Sequence, residues 1–185
     1  MKQSYIFLAN GFEEVEALGT VDVIRRAGMT ISTVSINSTR EVTGAHGIEV
    51  RADKLLSEVE LTDSTEWLIC PGGMPGATNL HENGRVGQLL KEHYSKGGLT
   101  AAICASPAVV LGPLGILAGH KATAYPGFEP IVTTETEMTG QPVVEDGNLI
   151  TANGPANTFA FALAIVTKSL GAEEAGKVAA GMLIK

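Results

Sequence analysis

Strand and helix signals alternate from one end of this 185-residue chain to the other, and nothing else in the sequence constrains the fold so tightly. Short apolar or β-branched runs separated by amphipathic stretches form parallel strands joined by crossover helices. Residues 5–9 read as the first strand, broken by Asn10-Gly11. Glu13, Glu14 and Glu16 follow, where acidic residues favour a helix N-terminus. Ala17, Leu18, Val21 and Ile24 give that helix an apolar face, and Gly28 closes it. Residues 30–36 form a β-branched second strand, and residues 41–51 a hairpin turning near Ala45-His46-Gly47. A buried strand at 67–70 runs into Pro71-Gly72-Gly73. An amphipathic helix at 86–96 ends at Gly97-Gly98, and a second buried strand occupies 99–103. Residues 105–111 read as a helix with Pro107 in its first turn. A short strand at 121–124, a hairpin at 142–151 turning at Asp146-Gly147, and helices at 159–170 and 173–184 complete the chain. No linker, repeat or low-complexity stretch intervenes, so the expectation is one α/β domain over residues 1–185 with a mostly parallel central sheet.

Composition removes several classes of function. The net charge is −7 with no run of Lys or Arg, which argues against a nucleic-acid partner, because phosphate binding needs clustered cations. No apolar run approaches the ~20 residues of a membrane span, and the first residues suit a strand better than a secretory leader. Two cysteines do not form a disulfide framework, and a cytoplasmic location is expected. The Asn37-Ser38-Thr39 sequon then reads as accidental. The two cysteines and four histidines show no ligand spacing and neither the Walker A pattern nor G-x-G-x-x-G is present, so neither a metal nor a nucleotide, nor any other cofactor, is expected. Glycine is abundant: 22 residues, where average usage gives roughly 13. The excess points to tight turns and close backbone approaches.

The strongest chemical signal is Ala101-Ala102-Ile103-Cys104-Ala105-Ser106-Pro107, a buried strand that delivers one thiol to the start of a helix. Free N–H groups at a helix start favour negative charge, so this position is expected to bring Cys104 below the free thiol value of ~8.5. The same groups can hold an oxyanion. Pro71-Gly72-Gly73 also follows a strand and opens a helix. In a parallel sheet it ends at the same edge, so its amides stand beside Cys104. Glu16 belongs to that edge too. Its helical neighbours Thr20 and Val23 give it a poorly solvated face, on which a carboxyl stays protonated near neutral pH and can donate to a thiolate. Cys70, after Trp67-Leu68-Ile69, reads as core; His81, His93 and His120 read as surface or turn residues. His46 sits at a hairpin tip from which it can line the site.

Gly11-Phe12-Glu13-Glu14-Val15-Glu16, Pro71-Gly72-Gly73, Ala101-Ala102-Ile103-Cys104-Ala105 and Gly154-Pro155 together resemble the ThiJ/PfpI superfamily. The nearest branch is that of the Parkinson-disease protein deglycase and its bacterial relatives. The resemblance implies a flavodoxin-like three-layer sandwich, similar to class I glutamine amidotransferases, and usually a homodimer. It implies Cys104 as nucleophile or redox-sensitive thiol and Glu16 as the acid that contacts it. The Gly73 and Ala105 amides become the oxyanion site, with Gly72 supporting the turn. The activities implied are a cofactor-independent glyoxalase or deglycase acting on small reactive carbonyls or glycated side chains, a redox-responsive chaperone or sensor, or a PfpI-type cysteine peptidase. One departure stands out. Several members place a histidine before the proline of Ala124-Tyr125-Pro126, where this chain has Tyr125. A phenol is a poor general base at neutral pH, which weakens a peptidase triad and slows carbonyl chemistry.

Overall fold

The computed structural model describes residues 2–129, 132–133 and 135–184. In chain order the elements are β1 (Gln3–Leu8), α1 (Glu14–Arg26), β2 (Thr30–Ser35), β3 (Glu41–Thr43), β4 (Glu49–Arg51) and β5 (Lys54–Leu55). Then come β6 (Thr65–Cys70), α2 (Gly76–Glu82), α3 (Gly84–Ser95), β7 (Leu99–Ile103) and a π-helical turn at Pro107–Leu111. β8 (Lys121–Ala122), β9 (Glu137–Met138), β10 (Val143–Asp146), β11 (Leu149–Ala152), α4 (Thr158–Leu170) and α5 (Ala172–Gly181) follow.

Seven strands make the central sheet in the order β10-β11-β7-β6-β1-β2-β5. All neighbours are parallel except the edge hairpin β10–β11. Numbered by their own sequence order, β2, β1, β6, β7 and β11 follow the flavodoxin pattern 2-1-3-4-5. The sheet is flanked by helices, with α1 on α4 and α4 on α5 in one group, and α2 against α3 and the π-helical turn in another. After their first residue β1, β6 and β7 are buried on both faces, which is why their sequences run into apolar stretches without alternation. Trp67, Phe7, Phe12 and Phe161 are the largest fully buried side chains, and Trp67 Nε1–H donates to Ser169 Oγ at 2.8 Å. Each fully buried Leu or Ile contributes roughly 1.5–3 kcal/mol, so this core dominates stability.

The hairpins predicted at 41–51 and 142–151 form β3–β4 and β10–β11. Three expectations need correction. The helix read at 105–111 starts later and is wound differently: Cys104 and Ala105 make a turn, and the five residues Pro107–Leu111 wind as a π-helix in which Gly112 N–H reaches back to the Pro107 carbonyl. The predicted strand at 121–124 is shorter. It pairs outside the main sheet with β9, a two-residue strand too short to show any period. His93 is not a surface residue; it is buried, with Nε2 between the carbonyls of Glu66 and Leu99.

Candidate functional site

Three strand ends meet at the carboxyl edge of the sheet. β1 and β6 are neighbours, and so are β6 and β7. Their following turns supply Gly11 to Glu16, Pro71 to Gly76, and Cys104 to Ser106. The edge between β1 and β6 is also where the strand order reverses, the usual position of a ligand crevice in open α/β sheets. The first two turns pack backbone against backbone. Glu13 N–H donates to the Gly72 carbonyl at 2.9 Å, and Gly76 N–H to the Gly11 carbonyl at 3.1 Å. A Cβ on Gly11 would lie 2.5 Å from Pro75 Cδ, so this approach requires glycine.

Cys104 has φ of 63°, a left-handed conformation that a cysteine rarely adopts. Its backbone is fixed on both sides: its N–H donates to the Ala152 carbonyl at 2.8 Å, and its carbonyl accepts from Tyr125 N–H at 2.8 Å. The bend turns the thiol away from the strand direction toward Glu16 and Gly72. A Cβ built on Gly72 would sit 2.5 Å from Cys104 Cβ and 2.7 Å from Glu16 Oε2, so both side chains converge on the space that this glycine leaves open. The N–H groups of Gly73 and Ala105 point at the sulfur.

Glu16 is fully buried, as are Thr20 and Val23 on the same helix face. Its Oε2 accepts Gly72 N–H at 2.8 Å, Oε1 has no nitrogen or oxygen partner among the described residues, and the carboxyl as a whole interacts with the Cys104 thiol. Burial pushes the Glu16 carboxyl up to about 7, against the hydrogen bonds from Cys104 and Gly72. The expected lowering of the Cys104 thiol is overturned. Burial first, then the negative charge of Glu16 and a hydrogen bond to it, push the thiol up to about 12, against the Gly73 and Ala105 amides. The helix that was to stabilise a thiolate is only a short π-helical turn, and the carboxylate beside it outweighs two amides. The two groups titrate as one coupled pair. The first proton leaves near pH 7, and the charge it leaves on the carboxylate helps to hold the thiol up.

Tyr125 joins the site through its main chain. Its ring is exposed, stands edge-on to Phe128, and lies against Gly154, where a Cβ would be 3.4 Å from Tyr125 Cδ2. His46 is drawn to Glu14: its N–H and Nδ1 both reach that buried carboxyl at 2.7 Å. Burial pushes Glu14 up, but the hydrogen bonds from His46 outweigh it and hold the carboxyl below its usual range. Glu14 in turn raises the exposed His46. Glu13, Glu14 and His46 bring donor atoms within 4.8 Å of one another. Those atoms are already engaged, Glu13 Oε2 by Glu16 N–H and both Glu14 oxygens by His46. Cys70 is fully buried, and burial pushes its thiol up to about 12. Sequence pattern alone assigns Ser106 no role, yet its hydroxyl ties the cysteine turn to the Pro71 carbonyl. The available signal was a hydroxyl residue in an otherwise apolar turn.

A family model described as the DJ-1/PfpI family matches residues 2–168. Protein dj-1beta of Drosophila melanogaster is 36% identical over 99% of this chain and 97% of its own length. Glutathione-independent glyoxalase DJR-1.2 of Caenorhabditis elegans is 35% identical over 88% of this chain and 85% of its own. The chain spans about half the length of the Arabidopsis thaliana relatives that it matches. Among solved structures, oxidized DJ-1 of Toxoplasma gondii superposes with a TM-score of 0.94 at 37% identity, covering 99% of this chain and 98% of the other. No helix among the described residues is long and apolar enough to cross a membrane.

Proposed function

The chain belongs to the DJ-1/PfpI family, and on that premise we propose that it is a single-domain glyoxalase or deglycase that acts on reactive carbonyls through Cys104. One arrangement carries the reading: a thiol at the carboxyl edge of a parallel sheet, with a carboxyl that titrates near 7 on one side and two amides on the other. With a 2-oxoaldehyde such as methylglyoxal, Glu16 takes the thiol proton as sulfur adds to the aldehyde carbon. The Gly73 and Ala105 amides hold the oxyanion until it is protonated. Moving the C1 proton to C2 through an enediol, by way of Glu16 or a water, gives a lactoyl thioester. Water then releases lactate and restores the thiol. The aldehyde carbon is oxidised and the ketone carbon reduced within one molecule, so nucleophile and base suffice without added metal, nucleotide or glutathione.

Turnover is expected to be slow, because Tyr125 stands where several relatives place a histidine, and a well-placed base contributes ~10²–10⁴-fold. Purified, reduced protein should form lactate from methylglyoxal, and Cys104→Ser should abolish it. Equal lactate from both proteins would end the enzymatic reading.

A second reading is a redox sensor or chaperone. It is supported by exposure: Cys104 is 9% accessible, whereas Cys70 is sealed. Peroxide should then take Cys104 to the sulfinic acid before Cys70 or any methionine is oxidised, which mass spectrometry of peroxide-treated protein resolves. The peptidase reading is the weakest, since no histidine among the described residues hydrogen-bonds Cys104. Two free cysteines suit a reducing compartment such as the cytoplasm. Exposed Val15 and Leu18 on α1, Ile48 beside the β3–β4 tip and Phe159 on α4 support a homodimer.

A further inference from the structure

Ser106 Oγ donates to the Pro71 carbonyl at 2.5 Å, and both residues are buried. The other end of that same peptide unit is the Gly72 N–H, which donates to Glu16 Oε2 at 2.8 Å. Serine, peptide and carboxyl therefore form one chain of two hydrogen bonds running through a single amide. The chain ends at the carboxyl that interacts with the Cys104 thiol, and whose second oxygen, Oε1, accepts from no other nitrogen or oxygen among the described residues. A hydroxyl is a costly group to bury at a fully inaccessible position, and an alanine would fill a turn of this kind without that cost. The chemistry described above makes no use of the Ser106 hydroxyl.

We propose that Ser106 is a positioning residue that acts on Glu16 through the Pro71–Gly72 amide. Its hydroxyl polarises the peptide, strengthens the Gly72 N–H bond to Oε2, and holds the carboxyl in place beside Cys104. Hydrogen bonds in a chain strengthen one another by roughly 10–30%, and a bond to a charged carboxylate is about twice as strong as a neutral one. The relay thus favours the ionised form of Glu16, the form that takes the thiol proton. The other groups facing Glu16 are the Cys104 thiol, from the turn after β7, and the Glu13 carboxylate on its own helix. Neither depends on the Ser106 hydroxyl. The proposal rests on the reading of Cys104 and Glu16 as the reacting pair, but its consequence can be read without turnover.

The test is a ¹³C NMR titration of glutamate δ-carboxyls in the full-length protein, with the Glu16 resonance assigned by its loss in Glu16→Gln. In Ser106→Ala the Glu16 midpoint should rise by about half a pH unit, the size expected from losing one cooperative partner. Ser106→Thr, which restores a hydroxyl, should return the wild-type midpoint. Should Ser106→Ala not fold, Ser106→Cys supplies a side chain of similar size and weaker donor strength, and its midpoint should rise as well. An unchanged Glu16 midpoint in a folded Ser106→Ala or Ser106→Cys protein overturns the proposal. So does a rise that Ser106→Thr shares in full, because the cause would then be packing. Because the readout is a carboxyl resonance, absence of lactate would remove the enzymatic reading while leaving this result intact.

Discussion

Two opposing influences meet at the Cys104 sulfur. Amide N–H groups pull it toward the thiolate, while burial and a neighbouring carboxylate push it toward the thiol. Glu16 was legible in the sequence because the positions one and two helical turns on, Thr20 and Val23, already marked a dry face. The direction of the thiol shift was not legible. It depends on how close the carboxylate stands and how short the following helix is, and neither is a local property. The coupled pair makes a definite pH prediction. Alkylation of Cys104 should climb with pH through about 7, as the first proton leaves the pair. Glu16→Gln should lose that inflection; the same inflection in both proteins would exclude Glu16 as the partner group. Stability should follow the raised folded-state value of Glu16. Its contribution is fully present below the unfolded carboxyl value near ~4.3 and is lost as pH rises through about 7. Glu16→Gln should therefore gain on the wild type by about 3 kcal/mol between pH 4 and pH 8, as an upper bound. Urea unfolding at both pH values measures it, and a difference that does not change with pH would refute it.

At the scale of elements, β6 and β7 were readable because strands buried on both faces need unbroken apolar runs, and Trp67-Leu68-Ile69-Cys70 and Ala101-Ala102-Ile103 leave no alternative. The β3–β4 hairpin was readable from its turn, with Gly47 at φ of 81°. The winding after Cys104 was not, because α and π turns differ only in which carbonyl an N–H selects. Here Gly112 passes over the Ala108 carbonyl for that of Pro107. Glycines divide by surroundings in a way that composition could not show. Gly72→Ala would place a methyl against both Cys104 and Glu16, so it should cost about 1–3 kcal/mol through overpacking and depress Cys104 reactivity. Gly84→Ala, at the start of α3 with open space around it, should be neutral or stabilise by up to ~1 kcal/mol. Thermal melts and thiol labelling of the two variants make the comparison. Similar behaviour of both would mean that the turn after β6 has slack that the structure does not show.

At the scale of the molecule, the alternating signals make the sheet parallel, whereas its flavodoxin order was legible only through the family resemblance. That order places the β1–β6 edge at the centre of the sheet. Some of the exposed apolar side chains lie on the helices flanking that edge. Val15 and Leu18 are on the helix that carries Glu16, and Phe159 lies across α1 at Gly19. Phe159→Asp and Val15→Asp should each shift a dimer toward monomer in sedimentation velocity, while surface changes on α3 should not. A wild-type protein that sediments as a monomer would leave this face without its proposed partner. The same central edge has a further consequence. Strands β1, β2 and β5 all precede the exposed loop around Thr62, and β6, β7, β10 and β11 all follow it, so the chain could be cut there into two contiguous halves of the sheet. One fragment would own the carboxyl and the other the thiol. Neither could run the chemistry alone, and the return of Cys104 labelling kinetics on mixing would report, with a single sulfur atom, that the two fragments had found each other.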